Sequence, residues 1–180
     1  MELLLFVLVL VSFCGAQTWT PPAFCHGKPC PEYSVVETNT EKDYELRSYV
    51  ATDWITTKMA GTTIIDFTAA RTRLSNVGGY SDSWPSLATV KNGSEYWLSW
   101  FVAPGSNVII SNPLVIKESR PKADVYVRTI NAIPGIKEGK EKAEKFCEDL
   151  TYSNCNSYSA AGYDTFWSTT HHNEIWINKI

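Results

Sequence analysis

Tyr44-Glu45-Leu46-Arg47-Ser48-Tyr49-Val50-Ala51-Thr52-Asp53-Trp54 decides the fold class. For most of its length the stretch alternates. Tyr44 and Leu46 point one way, and Glu45, Arg47 and Tyr49 point the other, which is the pattern of a half-buried strand. About eighty residues later Val125-Tyr126-Val127-Arg128-Thr129-Ile130 repeats the idea, again with an arginine on the polar side. Each copy is followed by a turn, a helix-like stretch and further strand-like sequence. The chain therefore reads as two related halves around one core, a repeat too weak for an array.

Residues 1–16 read as a secretory leader. Leu3 to Phe13 is apolar apart from Ser12, and Cys14-Gly15-Ala16 offers the small residues that cleavage before Gln17 needs. The apolar run is shorter than the roughly 20 residues of a membrane-spanning helix, and nothing later is apolar for longer. The mature chain is thus expected to be extracellular, secreted and without a membrane span. Residues 17–32, rich in proline, form an extended N-terminal arm, and residues 33–180 suit one domain with a sizeable core. Formal net charge is −3 and there is no basic run, which argues against nucleic acid as a partner. Aromatic residues reach 13%, with seven Trp and nine Tyr, enough for a packed core, an apolar binding surface, or both.

Strands are expected over Tyr33–Thr38, Tyr44–Tyr49, Ala51–Lys58, Trp84–Val90, Glu95–Val102, Asp124–Ala132, Asn156–Ala160, Asp164–Ser168 and Glu174–Asn178. Pro104 to Pro113 reads as a loop. Between Gly61 and Leu74 the period changes: Ile64, Phe67, Ala70 and Leu74 recur at helical spacing, Thr62-Thr63 offers a hydroxyl cap, and Asn76 with Gly78-Gly79 ends the helix. Pro134-Gly135 turns the chain into a second helix over Ile136–Leu150. Its apolar face runs through Ile136, the Lys140 stem, Ala143, Phe146, Cys147 and Leu150. Asn92-Gly93 between two apolar runs is a strong hairpin signal. Asn92-Gly93-Ser94 is also an N-glycosylation sequon, so Asn92 is the expected glycan site.

Of five cysteines, Cys14 leaves with the leader, and an even set of four remains. In an oxidising compartment this favours two disulfides. Local pairing, Cys25 with Cys30 and Cys147 with Cys155, is preferred; the rival ties the arm to the second helix. A zinc site at Cys25, His26 and Cys30 fits no compact spacing. No Gly-x-Ser-x-Gly, His-Glu-x-x-His or phosphate-binding glycine loop is present, so an enzyme is not expected.

Tyr44 to Thr57, Gly78-Gly79, Phe101-Val102-Ala103-Pro104, Ala161-Gly162-Tyr163-Asp164 and Asn173-Glu174-Ile175-Trp176 together resemble, in order and spacing, the SOUL/haem-binding protein family, over roughly residues 33–180. The resemblance implies an α+β fold: a mainly antiparallel curved sheet or distorted β-barrel with two flanking helices and pseudo-two-fold strand-helix-strand halves. It implies haem or another tetrapyrrole as ligand, held between the first helix and the last hairpin loop, for reversible buffering or transport. On that reading Ile64, Ile65, Phe67 and Leu74 form an apolar wall and Arg71 and Arg73 pair with propionates. His171 or His172 is then an optional iron ligand, Met59 is a weaker one, and Phe166 and Trp167 could cover the ring. The alternative is a secreted protein-interaction module of the same fold with a protein partner and no haem. Two departures matter. Ser48 stands where some members carry a histidine proposed as axial ligand, so that role does not transfer. Asp82-Ser83-Trp84-Pro85-Ser86 keeps only the proline and one hydroxyl of the family's Met-Thr-x-Pro-Val segment.

Overall fold

The computed structural model describes residues 19–80, 83–130, 136–153, 155–165, 168 and 171–179. The expected leader, the Pro134-Gly135 turn, Asp82 and the Phe166-Trp167 pair lie outside the described residues. Among the described residues nine strands form one sheet. They are β1 (Tyr33–Asn39), β2 (Tyr44–Tyr49), β3 (Thr52–Met59), β4 (Ser86–Lys91), β5 (Glu95–Val102), β6 (Val115–Arg120), β7 (Ala123–Ile130), β8 (Tyr158–Gly162) and β9 (Asn173–Asn178). Helix α1 (Ile64–Ser75) follows β3 and α2 (Ile136–Asp149) follows β7. Every described strand pairing is antiparallel. The strand order is β1-β2-β7-β9-β8-β4-β5-β3-β6.

That order makes the α+β curved sheet the correct form and corrects the barrel. A barrel closes only when its terminal strands pair. Here β1 pairs with β2 and β6 with β3, and no described pairing joins β1 to β6. The repeat is present in the order itself: exchanging β2 with β6, β3 with β7, β4 with β8 and β5 with β9 reads the eight strands backwards. The equivalent of Val125–Ile130 is therefore β3, not the Tyr44–Tyr49 strand with which its pattern was matched. Both β3 and β7 are followed by a helix, whereas β2 is followed by β3, a strand with which it does not pair.

The register assigns faces. Ile55 and Ile175 lie on one side, and Trp54, Phe101, Leu87, Ala161 and Trp176 on the other. Both helices cover the first side. Ala70 and Leu74 of α1 pack on Ile55, Leu98 and Val102, while Ala143, Phe146 and Cys147 of α2 pack on Ile130, Ile175 and Ile177. The sheet curves so strongly that Tyr49 of β2, Trp54 of β3, Leu87 of β4 and Trp176 of β9 share one inner cluster. Central strands are thus buried on both faces, and Glu174 through Ile177 are all buried.

Local chemistry explains the elements. Thr63 caps α1: its hydroxyl accepts from the Asp66 N–H at 3.2 Å, and Asp66 accepts from the Thr63 N–H at 3.1 Å. Asn92 and Gly93 both take positive φ in the β4–β5 turn. On α2 the buried face runs through Gly139, Ala143, Phe146 and Cys147, whereas Lys140 is exposed and pairs with Glu144. Arg128 spans the end of α2 by bonding Asp149 at 2.8 Å and lying 4.1 Å over the Phe146 ring. The bridges are Cys25–Cys30 and Cys147–Cys155, the local pairing.

Two strand expectations need correcting. Val115–Arg120 is a strand, β6, and was not foreseen, because its Lys117, Glu118 and Arg120 mask the alternation. Among the described residues of 164–168 none is in a strand: Asp164 instead turns its carboxylate to the Nε2 of His26 at 2.9 Å and the backbone N–H of His172 at 2.6 Å. Gly79 sits at φ +67°, and a Cβ there would run into the Asn107 carbonyl oxygen. Gly79→Ala is expected to cost about 2–3 kcal/mol, read as a lower urea midpoint, from left-handed strain plus that collision. A midpoint unchanged from wild type would show that the 106–109 loop gives way freely.

Candidate functional site: the first helix and the last hairpin

Helix α1 rests on β3 and β5. Its expected ligand residues divide into two groups. Ile64 and Ile65, in the first turn, are 73% and 76% exposed, Phe67 is half-buried, and Arg71 is exposed one turn further on. Leu74 is fully buried against the sheet and Met59 is 3% exposed, both within the core under the helix. Arg73 is committed inward: Nε donates to the Thr57 hydroxyl at 2.9 Å and Nη2 to the Lys58 carbonyl at 2.7 Å. What remains outward is an apolar pair with a guanidinium nearby, a surface suited to a flat apolar ligand carrying carboxylates.

The histidine pair enters β9, which lies beyond β4 and β8 from the β5–β3 pair that carries α1. His172 is half-buried and engaged through Nε2 and its ring. Its Nε2 lies 2.9 Å from Glu174 Oε1, and its ring stacks on Phe24 at 4.0 Å with planes 5° apart. Phe24 belongs to the N-terminal arm, which therefore docks on the hairpin. The same arm places Phe24 edge-on to Tyr163 at 4.8 Å, buries Cys25 and Cys30, and sends His26 to Asp164. His171 is half-buried beside it. Because Cys25 and Cys30 are bridged, they offer no thiolate to a metal.

Beneath His172 lies a set that sequence reasoning did not assemble. The Glu174 side chain is fully buried and takes four donors: Arg47 Nη1 and His172 Nε2 at 2.9 Å on Oε1, and the Tyr163 hydroxyl at 2.9 Å and Trp176 Nε1 at 2.7 Å on Oε2. Arg47 also bonds Glu45 at 2.7 Å and the Tyr49 hydroxyl at 3.3 Å, and stands 4.4 Å over the Tyr33 ring. Burial alone would push the Glu174 carboxyl up. The His172 bond, the Arg47 charge and the Trp176 N–H outweigh it and hold the carboxyl below the ordinary glutamate range. The Tyr49 and Tyr163 hydroxyls are pushed well up, first by burial and then by the Glu174 charge.

The supposed polar side of the opening strand is thus the inner core, and its arginine is buried because β9 brings an acid to it. A pointer lay in the sequence: Arg47, Tyr163, Glu174 and Trp176 all fall in the stretches that carry the family resemblance. Those stretches converge on a closed ion pair, a structural tie between β2, β8 and β9, not on an open ligand surface. Ser48 points to the opposite face, paired with Asp124 and Ser34.

Comparison with curated proteins finds no match. The family model described as SOUL heme-binding protein matches residues 28–178, so that the strands, both helices and the buried pair all fall within it. On that extent the chain belongs to the SOUL heme-binding protein family.

Proposed function

We propose that this chain binds haem or a related tetrapyrrole reversibly on the exposed face of α1, without catalysis, as a secreted protein that buffers or carries the ligand. Family membership over residues 28–178 carries the reading. The surface supports it: Ile64 and Ile65 stand open where most apolar side chains of the domain are buried, and Phe67 and Arg71 adjoin them. Haem brings its own iron chemistry; the chain's part is to cover one ring face, pair a propionate with Arg71 and shield the ring from water. Leu74 and Arg73 act in this reading from beneath, holding α1 on the sheet. His172 spends its Nε2 and one ring face on Glu174 and Phe24, which leaves His171 as the optional ligand of the pair. Two disulfides, the leader-like residues 1–16 and the exposed Asn92 turn support secretion and a glycan.

A haemin titration followed by visible absorption tests this. Saturation near one haem per chain is expected, weakened at least tenfold by Ile65→Asp, since burying one isoleucine contributes about 1.5–3 kcal/mol. His171→Ala is expected to move the Soret maximum; an unmoved maximum removes histidine ligation. No saturable binding would overturn the haem reading and favour the protein-interaction module, for which the same isoleucine pair would be the contact.

A further inference from the structure

The inner face of the sheet, opposite the one that carries α1, lines an open cleft of about 960 Å³ together with Cys147 at the end of α2 and residues of the 151–157 stretch. Both halves of the repeat line it: Trp54, at 1% exposure, lies behind the Arg120 guanidinium, Tyr49 and Trp176 present only a little of their surface, and Thr89 and Ser159 supply a hydroxyl pair 2.8 Å apart. The volume lies at the upper end of the range for small-molecule sites, roughly 300–1,000 Å³. The lining is mixed: apolar residues such as Val50, Ala123 and Ile177 alternate with hydroxyl, amide and charged side chains, so it suits a ligand with both an apolar and a polar part.

Charge selects the ligand class. Glu118 takes Arg120 Nη2 at 2.8 Å and Lys91 Nζ at 3.3 Å, so two cations share one carboxylate on the cleft wall. Arg120 is fixed by three further contacts: Nε on Glu118, Nη2 on Ser99 at 3.2 Å, and the guanidinium 4.7 Å over the Trp54 ring. The side chains of Arg120 and Glu118 are 26% and 27% exposed, so the leftover positive charge is only partly screened by water. A monoanion would balance it, whereas a neutral ligand would leave it uncompensated.

We propose that this cleft is a second binding site, separate from the α1 face, for an amphipathic monocarboxylic acid. Its apolar body lies in the cleft beside Val50, Ala123 and Ile177, and its carboxylate faces Arg120 and Lys91. The faces are fixed by register: Trp54 and Ile55 are neighbours in β3, yet Ile55 packs under α1 while Trp54 joins the inner cluster.

Calorimetric titration with dodecanoate, with dodecanol as the neutral counterpart, tests it. Dodecanoate is expected to bind one per chain and at least tenfold more tightly than dodecanol. Arg120→Gln should erase that preference. Ser159→Phe, which projects a ring from a half-buried position into the cleft, should weaken both ligands at least tenfold. Ile65→Asp, which disables the α1 face, should leave dodecanoate binding unchanged, and dodecanoate should not displace haemin. Equal affinity for acid and alcohol would overturn the charge argument. Unaltered binding in a folded Ser159→Phe protein, or displacement of haemin one for one, would overturn the second site. Loss of haemin binding alone, with dodecanoate retained, sinks only the α1 reading and supports this one.

Discussion

Replacing Glu174 by alanine lowers the free energy of unfolding by about 3–5 kcal/mol, the usual cost of leaving a buried partner charge uncompensated. The carboxylate holds Arg47, His172, Tyr163 and Trp176 at once, so its loss leaves the buried guanidinium with only the part-exposed Glu45 as counter-charge and takes the acceptor from three further donors. Against a total stability of roughly 5–15 kcal/mol this is a large share. Glu174→Gln, which keeps the shape, is expected to lose less. Arg47→Met with Glu174→Leu should recover part of the loss, because no charge is then stranded. Denaturant midpoints check the series, and a Glu174→Ala loss below about 1 kcal/mol would show that water reaches the pair.

The same carboxyl sets the acid limit. Its folded value is held below the ordinary 4.5, so its contribution is full above that pH and fades as pH falls through the folded value. At the alkaline end, Tyr49 and Tyr163 titrate well above the ordinary 10.0 when folded, so the stability they add is complete below pH 10 and is lost as pH rises beyond it. Unfolding followed against pH should therefore show a broad plateau between these limits, and Glu174→Gln should flatten its acid shoulder.

Deleting the arm, residues 19–31, is the second large effect: a loss of about 3 kcal/mol or more, lowering Tm by roughly 6–12 °C. Phe24 stacks on His172 and meets Tyr163, and Cys25 lies at 0% exposure in the inner cluster. Without them the His172 ring opens to water, and the ion pair below it weakens as the local dielectric rises. Cys25→Ser with Cys30→Ser should cost less than the deletion, since the aromatic cover stays. A deletion variant melting within about 2 °C of the full protein would show that the arm merely lies on the surface. The family match begins at residue 28, so Phe24 and His26 lie outside the matched stretch.

Much of the architecture was legible because period and punctuation act locally. The Ile64–Leu74 spacing, the Thr63 cap and the Asn92-Gly93 turn each fix their own neighbourhood. Loop closure over a few residues likewise favoured the local disulfides. What stayed hidden depends on partners distant in the chain. Arg47 looks solvated until β9 brings Glu174 across 127 positions. Lys140 was placed on the buried face of α2 because its long stem permits it, yet Gly139 is the buried residue there and Lys140 is exposed. β6 went unseen because an edge strand buries little, so its side chains need not alternate. For the candidate site, the outward Ile64 and the inward Leu74 are both apolar on one helix, and only the sheet beneath tells them apart.

The palindromic strand order has a consequence for how the domain is built. β2 comes from the first half of the chain but pairs with β7 of the second, and β6 from the second half pairs with β3 of the first. Each half therefore lends its opening strand to the other, as in a strand-exchanged dimer whose two copies have been fused. Neither half holds a complete sheet on its own. The molecule must consequently assemble by joining both ends of its chain, with contacts of long sequence separation forming early, and cannot mature one repeat at a time.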